Sequence, residues 1–123
     1  MKRLIPILTG KEDEEEFIEK IMKGETLKQL ILLNIVKREE VEDVPAGYAG
    51  SRIKKGEDIM EKIKKKTPSE IEVEENMEWG DPIDKIKAVT KIKDIDQIYM
   101  KKSKEANNVK KALDDIETEI RII

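Results

Sequence analysis

Cysteine and histidine are both missing from this chain of 123 residues. Their absence excludes a disulfide, a zinc–thiolate site, a Cys nucleophile, a His general base and a Ser-His-Asp triad. Aromatic residues are scarce: one Trp, two Tyr and one Phe. Basic residues therefore have almost no aromatics to interleave with, as a base-stacking surface would require. Charge of one sign is lacking too, because 25 Lys or Arg and 28 Asp or Glu leave a net charge of −3. No strong overall field draws nucleic acid. No apolar run approaches the length of a membrane span. Residues 4–8 are too short, and are broken by Pro6, to serve as the core of a signal peptide. These absences lead to the expectation of a cytoplasmic protein with neither a nucleic-acid nor a membrane partner.

What is present is charge, at 43% of residues, around Ile, Leu, Val and Met that recur with a period. That periodicity argues for a packed domain over disorder. Abundant Lys and Glu without Cys or His also resemble the composition of thermophilic proteins. The length fits one domain over residues 1–123.

The apolar pattern alternates between two kinds of element. Leu4-Ile5-Pro6-Ile7-Leu8 reads as a buried strand, although Pro6 cannot donate to a ladder. Residues 13–23 read as a helix with Phe17, Ile18, Ile21 and Met22 on one face, ended by Gly24. Residues 29–36 are nearly all apolar, as in a strand covered on both faces. A loop with Pro45, Gly47 and Gly50 is expected next, then a helix over residues 51–66 stopped by Pro68. Residues 70–79 alternate, with Ile71, Val73, Met77 and Trp79 on one phase and Glu72, Glu74 and Glu78 on the other. This is the pattern of a sheet edge guarded by charge, with Trp79 packed at its end. Gly80-Asp81-Pro82 supplies a turn, an N-cap and a first helical Pro for a third helix carrying Ile83, Ile86 and Val89. A fourth strand is predicted over residues 95–100. A fourth helix, capped by Asn107 or Asn108, carries Val109, Ala112, Leu113 and Ile116, and residues 120–123 form a last strand. Strands separated by helices imply a parallel sheet with right-handed crossovers and helices on both faces.

Several of these pieces resemble the universal stress protein family. They are Leu4-Ile5-Pro6-Ile7 in the first strand, Leu32-Leu33-Asn34-Ile35-Val36 in the second, and Trp79-Gly80-Asp81-Pro82-Ile83-Asp84-Lys85-Ile86 leading into the third helix. Asp94-Ile95-Asp96-Gln97-Ile98-Tyr99-Met100 does the same for the fourth strand. The resemblance implies a doubly wound α/β/α domain: a five-stranded, mainly parallel sheet of order 3-2-1-4-5 with four helices. It also implies a homodimer formed through the last strand. ATP-binding members carry an Asp after the first strand, where this chain has Leu8. After the fourth strand they carry a Gly-rich phosphate loop, where this chain has Lys101-Lys102-Ser103-Lys104-Glu105-Ala106-Asn107-Asn108, without a single Gly. Successive backbone N–H groups converge on an anion most readily where Gly permits it. The expectation is a non-enzymatic module with no catalytic residues, no cofactor and no ATP site, acting through a protein partner or a ligand.

In that fold a ligand would sit beyond the carboxyl ends of the first and fourth strands. Thr9, Gly10, Lys101, Lys102, Ser103 and Lys104 would form a candidate anion pocket there, with Lys for charge, Ser103 as a donor and the N-terminus of the last helix. The plainer reading is a solvated, charged loop. Gly47-Tyr48-Ala49-Gly50 lacks the Lys-Ser/Thr of a P-loop and reads as a connector. Neither residues 13–16 nor the set Glu39, Glu40, Glu42 and Asp43 has calcium-loop spacing, so no metal site is expected. A phosphorelay receiver is excluded by Thr9-Gly10, which stand where it needs an acidic pair. Ile120, Ile122 and Ile123 form an apolar edge, the expected dimer interface.

Overall fold

The computed structural model describes residues 1–37 and 46–123, with side chains from residue 50 in the second segment. Five strands alternate with four helices: β1 (Lys2–Ile7), α1 (Glu15–Ile21), β2 (Gln29–Val36), α2 (Ala46–Lys66), β3 (Glu72–Trp79), α3 (Pro82–Ile92), β4 (Gln97–Met100), α4 (Lys104–Ala112) and β5 (Glu119–Ile122). The sheet order is β3-β2-β1-β4-β5, and every paired neighbour is parallel. The chain is thus a doubly wound α/β domain whose strand order reverses between β1 and β4.

Alternation of side chains across the sheet divides the core in two. Leu4, Leu8, Ile31, Leu33, Ile35, Ile98 and Met100 pack with Ile86 of α3 and with Ala106 and Val109 of α4. Ile5, Ile7, Leu30 and Leu32 pack on the other face with Phe17, Ile18 and Ile21 of α1 and with Ile59, Met60 and Ile63 of α2. Burial on both faces is why β2 reads as an unbroken apolar run.

Pro6 acquires a positional reason. Lys2 turns both its N–H and its carbonyl toward β4, donating to Asp96 Oδ2 and accepting from Asp96 N. Every second residue of a strand faces the same neighbour, so the ring nitrogen of Pro6 also faces β4. The β1–β4 ladder runs over Arg3 and Leu4 only. Continued in that register it would reach Pro6, which has no N–H to offer. The two strands part there, at the reversal point of the sheet.

Three expectations need correction, and one lies outside the described residues. Helix α2 begins at Ala46, so Gly47 and Gly50 lie in helix instead of in a connector. A helical Gly costs about 1 kcal/mol against Ala, a penalty that tertiary packing can override. The set Glu39, Glu40, Glu42 and Asp43, together with Pro45, lies outside the described residues. Helix α4 begins at Lys104 and is capped by Ser103, whose Oγ accepts from Ala106 N at 2.9 Å, and not by Asn107 or Asn108. Its buried face is Ala106, Val109 and Leu113, with Ala112 exposed. Met77 and Trp79, 39% and 37% exposed, are each only partly covered at this edge of the sheet. β3 is an edge strand, and at this end α2 leaves an open groove lined by Met60, Lys64, Glu75 and Met77. The opposite face of β3 is polar and is held by Lys93–Glu74 and Lys85–Glu78 ion pairs.

Candidate functional site

The reversal point brings Thr9 and Gly10 of the β1–α1 loop to the same end of the sheet as Lys101, Lys102, Ser103 and Lys104. The loop after β1 closes around its own side chain. The Glu12 carboxylate, 2% exposed, accepts from Leu8 N at 2.9 Å and Thr9 N at 3.1 Å through Oε2. Its Oε1 accepts from Lys11 N at 2.9 Å and Thr9 Oγ1 at 3.1 Å. Gly10, at φ 78°, makes the turn that lets these groups converge. The result is a small anion nest filled from within by a carboxylate. Leu8 is buried in the same apolar cluster as Met100, so both sides of the reversal point contribute side chains to the core.

The Lys-rich segment is partly committed as well. Lys101 pairs with Glu14 at 2.9 Å, and the Ser103 hydroxyl caps α4. Lys102 and Lys104 are exposed and make no ion pair among the described residues. Beside them, Lys37, just after β2, forms an ion pair with Glu105 in the first turn of α4. That pair borders a cavity of about 340 Å³ that also meets Asp81, Ile83 and Asn108. Asp81 is engaged in capping α3, its Oδ1 accepting from Ile83 N at 2.8 Å.

A buried arginine stands behind the crevice. Arg52 of α2 donates to Asn34 Oδ1 at 2.8 Å and to the carbonyls of Ile7 at 3.1 Å and Ile35 at 3.3 Å. It thereby ties the carboxyl ends of β1 and β2 to the helix. The close approach depends on Gly56, where a Cβ would stand 2.1 Å from Asn34 Nδ2. Sequence reasoning missed Glu12, Arg52 and Gly56 as a set. For Arg52 and Gly56 the available signal was Asn34, the one polar residue within the apolar run of β2, which when buried must find a partner.

At the opposite margin of the sheet, β5 pairs with β4 on one side and leaves its other edge open in the single chain. Ile120 and Ile122 are half-buried against one core cluster and Ile123 against the other. Glu119 is held below the usual carboxylate range by hydrogen bonds from Gln97 and then from Arg121. Among the described residues no group of three or more acidic side chains is placed to hold a metal ion. None of the described helices is long and apolar enough to cross a membrane.

This arrangement defines a class of fold: a doubly wound α/β/α domain with its reversal point between β1 and β4. Solved structures make the likeness particular. The structure of hypothetical protein MJ0577 matches with a TM-score of 0.77 at 18% identity, over 99% of this chain and 94% of that one. Universal stress protein UspA from Lactobacillus plantarum matches at 0.69 and 13% identity, over 100% of this chain and 97% of that one. A protein from the universal stress protein family from Burkholderia pseudomallei matches at 0.67 and 8% identity, over 99% and 94%. The chain has the universal stress protein fold, with the expected strand order and four helices, and the sheet is parallel throughout. No family model and no curated protein matches its sequence.

Proposed function

We propose that this chain is a universal-stress-protein-like regulatory or stress-response module of the cytoplasm. It is not an enzyme, works as a homodimer, and acts through a partner or ligand without ATP at the β1–β4 crevice. The observation that carries this reading is the Glu12 carboxylate seated on the backbone N–H groups of the loop after β1. An approaching phosphate would meet a negative charge already bonded to the donors it needs. The Gly-free segment after β4 and the burial of Leu8 and Met100 support the same conclusion. Dimerisation is supported by the open, apolar edge of β5, which carries Ile120, Ile122 and Ile123.

Two measurements test this function. Purified protein, denatured and analysed by mass spectrometry, should release no stoichiometric ATP; a molar equivalent of ATP would overturn the ATP-free reading. Light scattering at micromolar concentration should give the mass of a dimer, and removal of residues 120–123 should give a folded monomer. A monomeric mass for the intact chain would sink the dimer.

A second reading keeps nucleotide or phosphate binding at the Lys-rich segment. It is favoured by Lys102 and Lys104, which stand exposed and outside any ion pair among the described residues. Its test is Lys102→Gln with Lys104→Gln, which would abolish phosphate binding if this segment holds the anion.

A further inference from the structure

Away from the crevice, the carboxyl end of α1 and strands β1, β4 and β5 frame an open pocket of about 420 Å³. Its lining includes the cationic side chains of Arg3, Lys20, Lys23 and Arg121 and no acidic side chain; Met1 and Ile123, whose terminal groups carry opposite charges, line it too. Two of these cations are balanced from outside the cavity: Lys20 pairs with Glu16 at 3.1 Å, and Arg121 pairs with Glu119 at 2.7 Å. A surplus of two positive charges remains, in a chain whose net charge is −3.

Arg3 lies in the wall of the cavity. It is 2% exposed, and every partner it has is neutral. Nη1 donates to the carbonyls of Ile21 and Lys23, each at 2.7 Å. Nε and Nη2 donate to Gln97 Oε1 at 3.0 and 2.7 Å. A guanidinium has five N–H donors, and these bonds leave one on Nη2 unused. The plane of the guanidinium rests on the Tyr99 ring, 4.0 Å from its centroid, which fixes the direction of the fork. Nη2 is also the atom nearest the place where a Cβ on Gly24 would stand, at 3.2 Å. Gly24 lines the cavity at φ 136°, a conformation that other residues rarely adopt. The glycine therefore places no side chain of its own over the spare donor. A buried cation ordinarily finds a counter-ion, and here the nearest route to one runs through Gln97, whose Nε2 donates to Glu119 at 2.7 Å.

We infer that this cavity binds a phosphate group, either free or as the phosphomonoester end of a small metabolite. The spare Arg3 N–H, Lys23 and Arg121 would converge on a dianion, whose two charges match the local surplus. The site is independent of the ATP-free reading of the crevice, because the two share no residue.

The test is calorimetric titration of the full chain at low ionic strength with inorganic phosphate and, in a second arm, with AMP. Wild-type protein should bind at least one of them saturably, and the tighter arm identifies a free or an esterified phosphate. Lys23→Gln combined with Arg121→Gln changes only surface side chains and should weaken binding by about tenfold or more. Lys102→Gln combined with Lys104→Gln should leave it unchanged. The inference is overturned if wild type binds neither ligand up to about 10 mM. It is equally overturned if the Lys23/Arg121 variant binds as well as wild type, or if the Lys102/Lys104 variant loses binding to the same degree.

Discussion

Glu12 and Arg3 are both 2% exposed, stand at opposite ends of β1, and are satisfied in different ways. Glu12 draws its four bonds from Leu8, Thr9 and Lys11, all within four positions of it. Arg3 reaches Ile21, Lys23 and Gln97, from 18 to 94 positions away, and keeps one donor in reserve. A short loop can fold entirely around its own carboxylate, because each N–H it needs is a few bonds away. A guanidinium whose partners come from separate elements is placed by the packing of the whole domain, and its geometry need not close. At the end of the sheet where doubly wound folds usually bind a ligand, the backbone donors of the loop after β1 are thus already occupied, while at the other end a buried positive charge has no carboxylate in direct contact.

The comparison breaks most severely at Gly56. Gly56→Ala forces Asn34 aside and with it the Arg52 anchor of the carboxyl end. Overpacking together with a lost buried hydrogen bond should cost about 2–4 kcal/mol, read from the urea midpoint. The anion cavity at the amino end should keep its ligand in any fraction that remains folded.

Glu12→Ala should cost about 1–3 kcal/mol, because it leaves buried N–H groups unpaired. If the carboxylate is what closes the crevice, the substitution should also raise phosphate affinity at the carboxyl end above that of the wild type. A variant that is destabilised but gains no anion affinity would show that the Glu12 nest is not what closes the crevice.

Lys101→Ala removes a pair with the half-exposed Glu14 and should change stability by no more than about 1 kcal/mol, with binding unaltered. A loss of ligand in this variant would move the anion site back to the Lys-rich segment.

The smallest effect is on pH. Glu15, Glu74, Asp115 and Glu119 are held below the usual carboxylate range, chiefly by hydrogen bonds from Lys66, Lys93, Lys87 and Gln97 respectively. A carboxylate that is more acidic when folded stabilises the fold above its unfolded value and loses that contribution as the pH falls through the folded one. Stability should therefore decline gently from about pH 5 downward. Denaturant midpoints that stay flat across that range would show the surface pairs to be energetically silent.

Much of the fold was legible because its signals are periodic and local. The bounds of β2 followed from one unbroken apolar run, and the turn, cap and Pro of Gly80-Asp81-Pro82 marked the start of α3. The cap of α4 was misplaced because Ser103, Asn107 and Asn108 are all good caps by composition. Only packing decides that Ala106, Val109 and Leu113 set the phase of that helix. At the candidate site the sequence exposed what was absent, the glycines and the Asp. It could not expose Glu12, which looks like one more helix-leading acid until the loop is seen to wrap it. Arg3 was hidden in a basic N-terminal stretch, and nothing local announced that Gln97, Tyr99 and Arg121 would gather around it.

The most direct measurement is a titration of the isotope-labelled chain with MgATP, followed through its backbone amide signals by NMR. If the crevice is closed, the amides of residues 8–12 and 101–105 should stay fixed; in a parallel titration with inorganic phosphate, those of Lys23, Gly24, Tyr99 and Arg121 should shift if the amino-end cavity is the anion site. Saturable shifts in residues 8–12 and 101–105 with MgATP would contradict closure of the crevice.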